Sequence, residues 1–286
     1  MANAPLDIAW YDGRLQPIAD IHISPLDRGF LFGDGVYEVI PFYGERAVGH
    51  LEHLDRLEKS LRSIALPMPM RRAELEQVLL QVINANDCNT QALYLQISRS
   101  GDVGRDHQFP KEQQANLFVM SSRMTAPSEA SYASGLKAIL RPDERWSRCD
   151  IKSTSLLANV MAKQDAGTAD AADAVLYRDD QITEGAASAF ACVVNNTLVA
   201  PPLTKALLPS VTREITWRLA GEIGLATAER DLSVPEFLAA DEVILMSSTK
   251  EIAPIVKVDD HAIGDGTPGP VWRQLFQRYQ DEKQTG

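Results

Sequence analysis

The sequence predicts an α+β protein of two unequal domains. Three observations lead there: hairpin signals followed by amphipathic helices in the first third, an aperiodic Pro/Ser/Thr/Gly stretch near residue 130, and alternating strand and helix patterns beyond it. Residues 6–11 and 15–23 flank Asp12-Gly13, a hairpin turn pair, because both central positions of such a turn need positive φ. Residues 36–43 and 47–49 flank Gly44-Glu45 in the same way. Leu51, Leu54, Leu57, Leu61 and Ile64 then recur at helical spacing, as do Leu75, Val78, Leu79, Val82 and Ile83. Residues 92–98 and 116–121 read as strands. From 123 to 135 no apolar period survives, which marks a linker. Beyond it, 136–140 reads as a strand, 155–166 as a helix, and 174–177 and 189–194 as strands, the last turning at Asn195-Asn196. Residues 211–223 form an amphipathic helix opening after Pro209-Ser210, and 243–247 a buried strand. The expected division is a small N-terminal domain (1–122), a linker (123–134) and a larger C-terminal domain (135–286), with the active centre between the two.

Bulk properties exclude several classes. With 45% hydrophobic and 23% charged residues, the 286-residue chain has the balance of a globular protein. Its net charge of −11 argues against nucleic-acid or anionic-membrane binding, since no basic stripe exists to displace counterions. Anionic substrates must then be held by a few local arginines. Three scattered cysteines (Cys88, Cys149, Cys192) make neither a disulfide framework nor a zinc cluster. The opening residues lack the basic and apolar regions of a secretion signal, and no apolar run reaches membrane-spanning length, so a cytoplasmic location is expected.

The residues that promise chemistry are Lys152, in Arg148-Cys149-Asp150-Ile151-Lys152-Ser153, and Glu184, in Ile182-Thr183-Glu184-Gly185 one helix and one strand later. Lysine forms Schiff bases with carbonyls, and pyridoxal phosphate needs both that amine and an acid opposite its ring nitrogen. The apolar residues Leu156, Leu157, Val160 and Met161 that follow suggest a buried amine, and desolvation disfavours the ammonium form, as a nucleophile requires. A phosphate is best held by N–H groups at a helix start, hydroxyls and an arginine. Ser210-Val211-Thr212 opens a predicted helix, Ser247-Ser248-Thr249 follows a strand, and Arg56 lies on the first amphipathic helix. Taken singly, Thr212 reads as a helix cap and Arg56 as a surface ion pair.

Together these residues resemble a known family. Asp27-Arg28-Gly29-Phe30-Leu31-Phe32-Gly33-Asp34-Gly35-Val36-Tyr37-Glu38, His53-Leu54-Asp55-Arg56-Leu57, Asp150-Ile151-Lys152-Ser153, Thr183-Glu184-Gly185, Val211-Thr212-Arg213 and Ser247-Ser248-Thr249 occur in the order found in the fold-type IV pyridoxal phosphate aminotransferases. Within that group, Gly104-Arg105-Asp106-His107-Gln108-Phe109-Pro110 is similar to the substrate-carboxylate loop of the D-amino-acid enzymes. The resemblance implies a small α/β domain joined to a larger pseudo-barrel domain, pyridoxal 5'-phosphate as cofactor, and a homodimer. It implies a Schiff base on Lys152, which also shuttles a proton, and Glu184 beside the pyridine nitrogen. By the same resemblance Arg56, Val211, Thr212 and Ser248 hold the phosphate and Leu208 packs near the ring, while Tyr37, Arg105 and His107 grip the substrate carboxylate. The implied reaction moves an amino group from a D-amino acid such as D-alanine to a 2-oxo acid such as 2-oxoglutarate. Two departures stand out. Ala186-Ala187-Ser188-Ala189 replaces a hydroxyl-rich run near the cofactor, and the loop before Arg105 is one residue longer than the family pattern. Arg99 is a rival carboxylate anchor, set second because His107 stands beside Arg105.

Other signals carry less. Gly33-Asp34-Gly35 is not a dinucleotide loop, since Glu38 stands where a third glycine belongs. Ser134 and Lys137 match a β-lactamase spacing without its companions. His50 and His53 read as capping and surface groups, and Cys149 as an inert buried thiol. The competing functions are an aminodeoxychorismate lyase, a transaminase of branched-chain L-amino acids or (R)-amines, and a cofactor-binding protein without turnover.

Overall fold

A computed structural model describes residues 4–100 and 104–285. The reading of the first three residues, and the extra residue expected before Arg105 where it falls on 101–103, lie outside the described residues. The chain divides into two compact units: one runs to Thr125 and takes back Ile151–Ser155, and the other comprises Ala126–Asp150 and Leu156–Thr285.

In the first unit, β1 (Ile8–Tyr11), β2 (Arg14–Pro17), α1 (Arg28–Phe32), β3 (Gly35–Tyr43), β4 (Arg46–Ala47), α2 (His50–Ser63), α3 (Arg72–Asn84), β5 (Thr90–Ser100) and β6 (Gln114–Arg123) follow one another. The strands form one antiparallel sheet in the order β2-β1-β6-β5-β3-β4. Asp12 and Gly13 turn β1 into β2 with φ of 51° and 76°, the conformation expected of that pair. The second strand stops at Pro17, short of the expected residue 23; proline has no N–H for the ladder, and Ile18–Asp20 close a 3-10 turn instead. Alternation along β3 sends Val36, Glu38, Ile40 and Phe42 into the core. There Leu93, Leu95, Ile97, Leu117 and Val119 meet Leu54, Leu57 and Leu61 of α2 and Leu75, Leu79 and Val82 of α3. Each such aliphatic side chain contributes on the order of 1.5–3 kcal/mol. Glu38 is the exception on that face, a carboxylate among hydrocarbons.

The second unit contains β7 (Leu136–Pro142), α4 (Leu157–Thr168), β8 (Asp173–Arg178), β9 (Gln181–Gly185), β10 (Ala189–Val194), β11 (Thr197–Ala200), α5 (Val211–Glu222), β12 (Ala226–Glu229), α6 (Val234–Leu238), β13 (Glu242–Ser247), β14 (Glu251–Val258), β15 (His261–Ala262) and α7 (Pro270–Thr285). Its nine strands make a mixed half-barrel sheet in the order β12-β11-β10-β13-β14-β7-β8-β9, with β15 on β14. Of the stretch 123–134, Arg123 ends β6 and Ala130–Tyr132 form a 3-10 turn.

Candidate active site

Ile151–Ser155 lies along the start of β3, which explains its place in the first unit. The Tyr37 N–H donates to the Lys152 carbonyl at 3.0 Å, and the Thr154 N–H to the Gly35 carbonyl at 3.0 Å. Ser153 bridges Val36, Ile151 is buried in the core, and the Lys152 N–H donates to Ser60 Oγ at 3.3 Å. The Lys152 backbone is thus pinned on three sides. Its side chain is half-buried, with Nζ 4.2 Å from the centre of the Tyr37 ring. The apolar residues expected to bury the amine do otherwise: Leu157, Val160 and Met161 are 74%, 59% and 58% exposed on α4. They stand at i, i+3 and i+4, on one helical face that this chain alone leaves uncovered.

Beneath Tyr37 lies the buried carboxylate of Glu38. It accepts Arg56 Nε at 2.8 Å, Arg56 Nη2 at 2.7 Å, and contacts His53 Nδ1 at 2.7 Å. Burial pushes the Glu38 pKa up, but the charge and hydrogen bonds of Arg56, with help from His53, outweigh it and hold the group well below the usual range. Burial lowers the His53 pKa, only partly offset by Glu38, which favours the neutral ring. His53 is therefore not the surface group expected from its neighbours; it is 1% exposed. The core-facing phase of α2, which carries Leu54 and Leu57, carries His53 inward with it. His50 fits the expectation better, half-exposed and 3.6 Å from Glu76. Arg56 is buried rather than superficial, since its partner sits in the core.

Arg105 and His107 are exposed, and both rest on Phe32: the guanidinium is 5.5 Å and the imidazole 5.1 Å from its ring centre. The rival anchor, Arg99, is fully buried and committed to the interior through Asp34, Gln113 and the carbonyls of Ile64 and Ala65. Gly33-Asp34-Gly35 proves to be a structural turn. Gly33 ends α1 with φ of 66°, and a Cβ on Gly35 would stand 2.9 Å from the Ile97 carbonyl oxygen.

In the second unit, Glu184 is the last residue but one of β9 and is met by polar partners. Arg145 Nη1 ion-pairs with it, and the Leu208 N–H donates to both carboxylate oxygens at 3.1 Å. Arg145 is in turn clamped by Asp143, 2.9 Å from Nε. Burial alone would lower the Arg145 pKa, but hydrogen bonds and charge from Asp143 and Glu184 raise it. Neither Asp143 nor Arg145 stood out in the sequence; Asp143-Glu144-Arg145 reads as ordinary charged loop. Ser210, not Thr212, caps α5, accepting from the Arg213 N–H at 3.2 Å. Thr212 is buried in the first turn. Among the described residues, no group of the chain accepts from the N–H of Val211 or Thr212, the orphan donors that suit a phosphate. Ser248 is half-buried where β13 ends, and Leu208 is half-buried beside Glu184. The Ala186–Ala189 run is fixed by other means: Asp173 accepts from Ser188 Oγ at 2.6 Å and from the Ala187 N–H at 3.3 Å. Burial pushes the Cys149 thiol up to about 11, as an inert cysteine requires.

Each unit contributes groups of the kind pyridoxal phosphate requires: an amine and a buried arginine in the first, an ion-paired acid and a helix start with spare N–H donors in the second. Comparison with known proteins agrees. The family model for class IV amino-transferases matches residues 35–258. A D-alanine aminotransferase of Bacillus licheniformis is 37% identical over 268 residues, 93% of each chain. One from Staphylococcus aureus strain N315 is 31% identical over 271 residues, 94% of this chain and 96% of that one. In fold, the Escherichia coli branched-chain amino acid aminotransferase superposes with a TM-score of 0.88 at 24% identity, covering 96% of this chain and 94% of that chain.

Proposed function

The chain belongs to the class IV aminotransferases, a pyridoxal phosphate-dependent family, and from that premise we propose that it exchanges amino groups between D-amino acids and 2-oxo acids. D-alanine and 2-oxoglutarate are the expected pair. The observation that carries this reading is Lys152, pinned through its backbone to β3 with its amine over Tyr37, in a chain 37% identical to a D-alanine aminotransferase across 93% of its length.

When bound, pyridoxal phosphate supplies an aldehyde that condenses with amines and a protonated ring that draws electrons from the neighbouring carbon. Lys152 is the amine available to that aldehyde, and it would also take and return the proton at the substrate Cα. Glu184, ion-paired with Arg145 and oriented by the Leu208 N–H, would face the ring nitrogen. Arg56, the N–H groups of Val211 and Thr212, and the Ser248 hydroxyl would hold the phosphate, and Leu208 would pack against the ring. Tyr37, Arg105 and His107 take the α-carboxylate, and that choice of anchor sets which enantiomer turns its Cα–H toward Lys152.

The partners are small D-amino acids and 2-oxo acids, with no nucleic acid and no membrane. Net charge is −11, and no helix among the described residues is long and apolar enough to cross a membrane. A cytoplasmic homodimer is the expected form. The uncovered Leu157, Val160 and Met161 face on α4 supports a second copy there, and sedimentation tests it. The deciding experiment follows the absorbance of the bound cofactor. It should change on adding D-alanine and recover on adding 2-oxoglutarate, with no response to L-leucine or an (R)-amine. A response to L-leucine but not D-alanine overturns the proposal, as does pyruvate release from aminodeoxychorismate without an acceptor.

A further inference from the structure

Arg28 follows the N-cap of α1, a position where an arginine ordinarily reaches solvent, yet it is 3% exposed. Its guanidinium is spent on the loop that carries Arg105 and His107. Nη1 donates to the Asp106 carbonyl at 2.5 Å and the Gln108 carbonyl at 3.2 Å, and Nη2 to the His107 carbonyl at 3.3 Å. Nε donates to Asp34 Oδ2 at 2.8 Å, and the group lies 4.9 Å from the centre of Phe32, the ring that also receives Arg105 and His107. Asp34 Oδ2 accepts a second guanidinium, Arg99 Nε, at 3.0 Å. Arg99 in turn stacks 3.7 Å from the centre of Phe109 and binds Gln113. One carboxylate therefore aligns two arginines, and each holds a different part of residues 106–113.

We infer that Arg28 is a positioning residue for substrate-carboxylate recognition: by gathering three successive loop carbonyls it sets where Arg105 and His107 stand. This rests on the reading of Arg105 and His107 as the carboxylate grip. The physical argument is about the backbone. Carbonyls of consecutive residues ordinarily point in different directions, and turning three toward one cation curls the loop around it. The side chains of Arg105 and His107 then rest on Phe32, the ring the anchor also touches, and both are exposed. A planar fork with five donors can address three carbonyls and a carboxylate at once; a lysine ammonium, a point charge on a flexible stem, cannot.

The test compares holoenzymes of Arg28→Lys, Arg28→Gln and Arg105→Gln with the unaltered protein. In Arg28→Lys the KM for D-alanine should rise on the order of ten- to a hundredfold, the penalty of a small misplacement, with kcat changed far less. Amide hydrogen exchange at residues 104–109 should quicken, while exchange in the α2 and α3 core stays as it was. Arg28→Gln should show both effects more strongly; should it not fold, Arg28→Lys decides. An unchanged KM and unchanged loop exchange in folded Arg28→Lys overturn the inference, as does a lowered melting temperature with KM unmoved, which marks a purely structural arginine. The benchmark separates two failures. A normal D-alanine KM in Arg105→Gln sinks the carboxylate reading, whereas a raised KM there with a normal one in Arg28→Lys sinks only the role of Arg28.

Discussion

Replacing Glu38 by glutamine removes one negative charge from the interior of the first unit and changes little else. The carboxylate is fully buried and meets Arg56 through Nε at 2.8 Å and Nη2 at 2.7 Å. Opposite charges roughly 4 Å apart attract by about 4 kcal/mol at an effective dielectric near 20. Removing one partner of such a pair typically costs about 3–5 kcal/mol. The glutamine carbonyl keeps one acceptor for the guanidinium, a hydrogen bond worth about 1 kcal/mol, so a net loss of about 2–4 kcal/mol is expected. At roughly 2–4 °C per kcal/mol, the melting temperature should fall by about 5–15 °C. Urea denaturation near neutral pH, followed by circular dichroism, measures the loss. Arg56→Met alone should destabilise comparably, because it strands the buried carboxylate. The double variant Glu38→Gln/Arg56→Met should then lose less than the two single losses added. The cofactor-free protein should also bind pyridoxal phosphate more weakly in Glu38→Gln, with affinity for non-phosphorylated pyridoxal little changed. A stability loss below about 0.5 kcal/mol, the scale of an exposed pair, would refute the buried geometry.

His53 gives a pH prediction. Its folded pKa lies below the ordinary 6.5, so the unfolded chain binds the proton more readily. The stability from this site is full above about 6.5 and is lost as the pH falls below it; His53→Gln should flatten that slope in urea midpoints taken from about pH 5 to 8. Glu38, lowered from 4.5, adds a loss of the same sign below that value. Arg105→Gln should weaken D-alanine recognition by about 2–5 kcal/mol, read as the ratio of kcat/KM values. Borohydride reduction of the holoenzyme should leave a pyridoxyl mass on the peptide containing Lys152, and Lys152→Ala should abolish both label and turnover; a label elsewhere contradicts the assignment of the amine.

Periodicity and turn chemistry made much of the fold legible. The 189–194 strand was readable from its apolar run, and Asn195-Asn196 turn it back with φ of 49° and 58°. Asp179-Asp180 make the same kind of turn, at 50° and 60°, and went unread because aspartate pairs also occur in open loops. The missed α7 carried a usable signal, with Pro270 at its start and Trp272, Leu275, Phe276 and Tyr279 buried along one face. The order of motifs singled out Lys152 and Glu184 as candidates. It did not reveal what surrounds them. Glu38, His53 and Arg28 are all ionisable groups held inside by partners distant in sequence, and hydropathy assigns such groups to the surface. Their burial depends on pairings such as Arg28 with the 106–108 carbonyls, which exist only once the chain has closed on itself.

The return of Ile151–Ser155 to β3 has a practical consequence for dissecting the protein. The polypeptide passes from one unit to the other at 125/126, 150/151 and 155/156, so neither unit is one uninterrupted stretch. A fragment cut after Thr125 would leave the Tyr37 N–H and the Gly35 carbonyl without the segment that answers them. Added back as a short synthetic peptide, residues 151–155 would have to dock without the covalent tether that now holds them at high local concentration. Complementation of split halves is therefore expected to need the whole second piece, and a protease nick near 125 should leave the halves associated until denaturant is added.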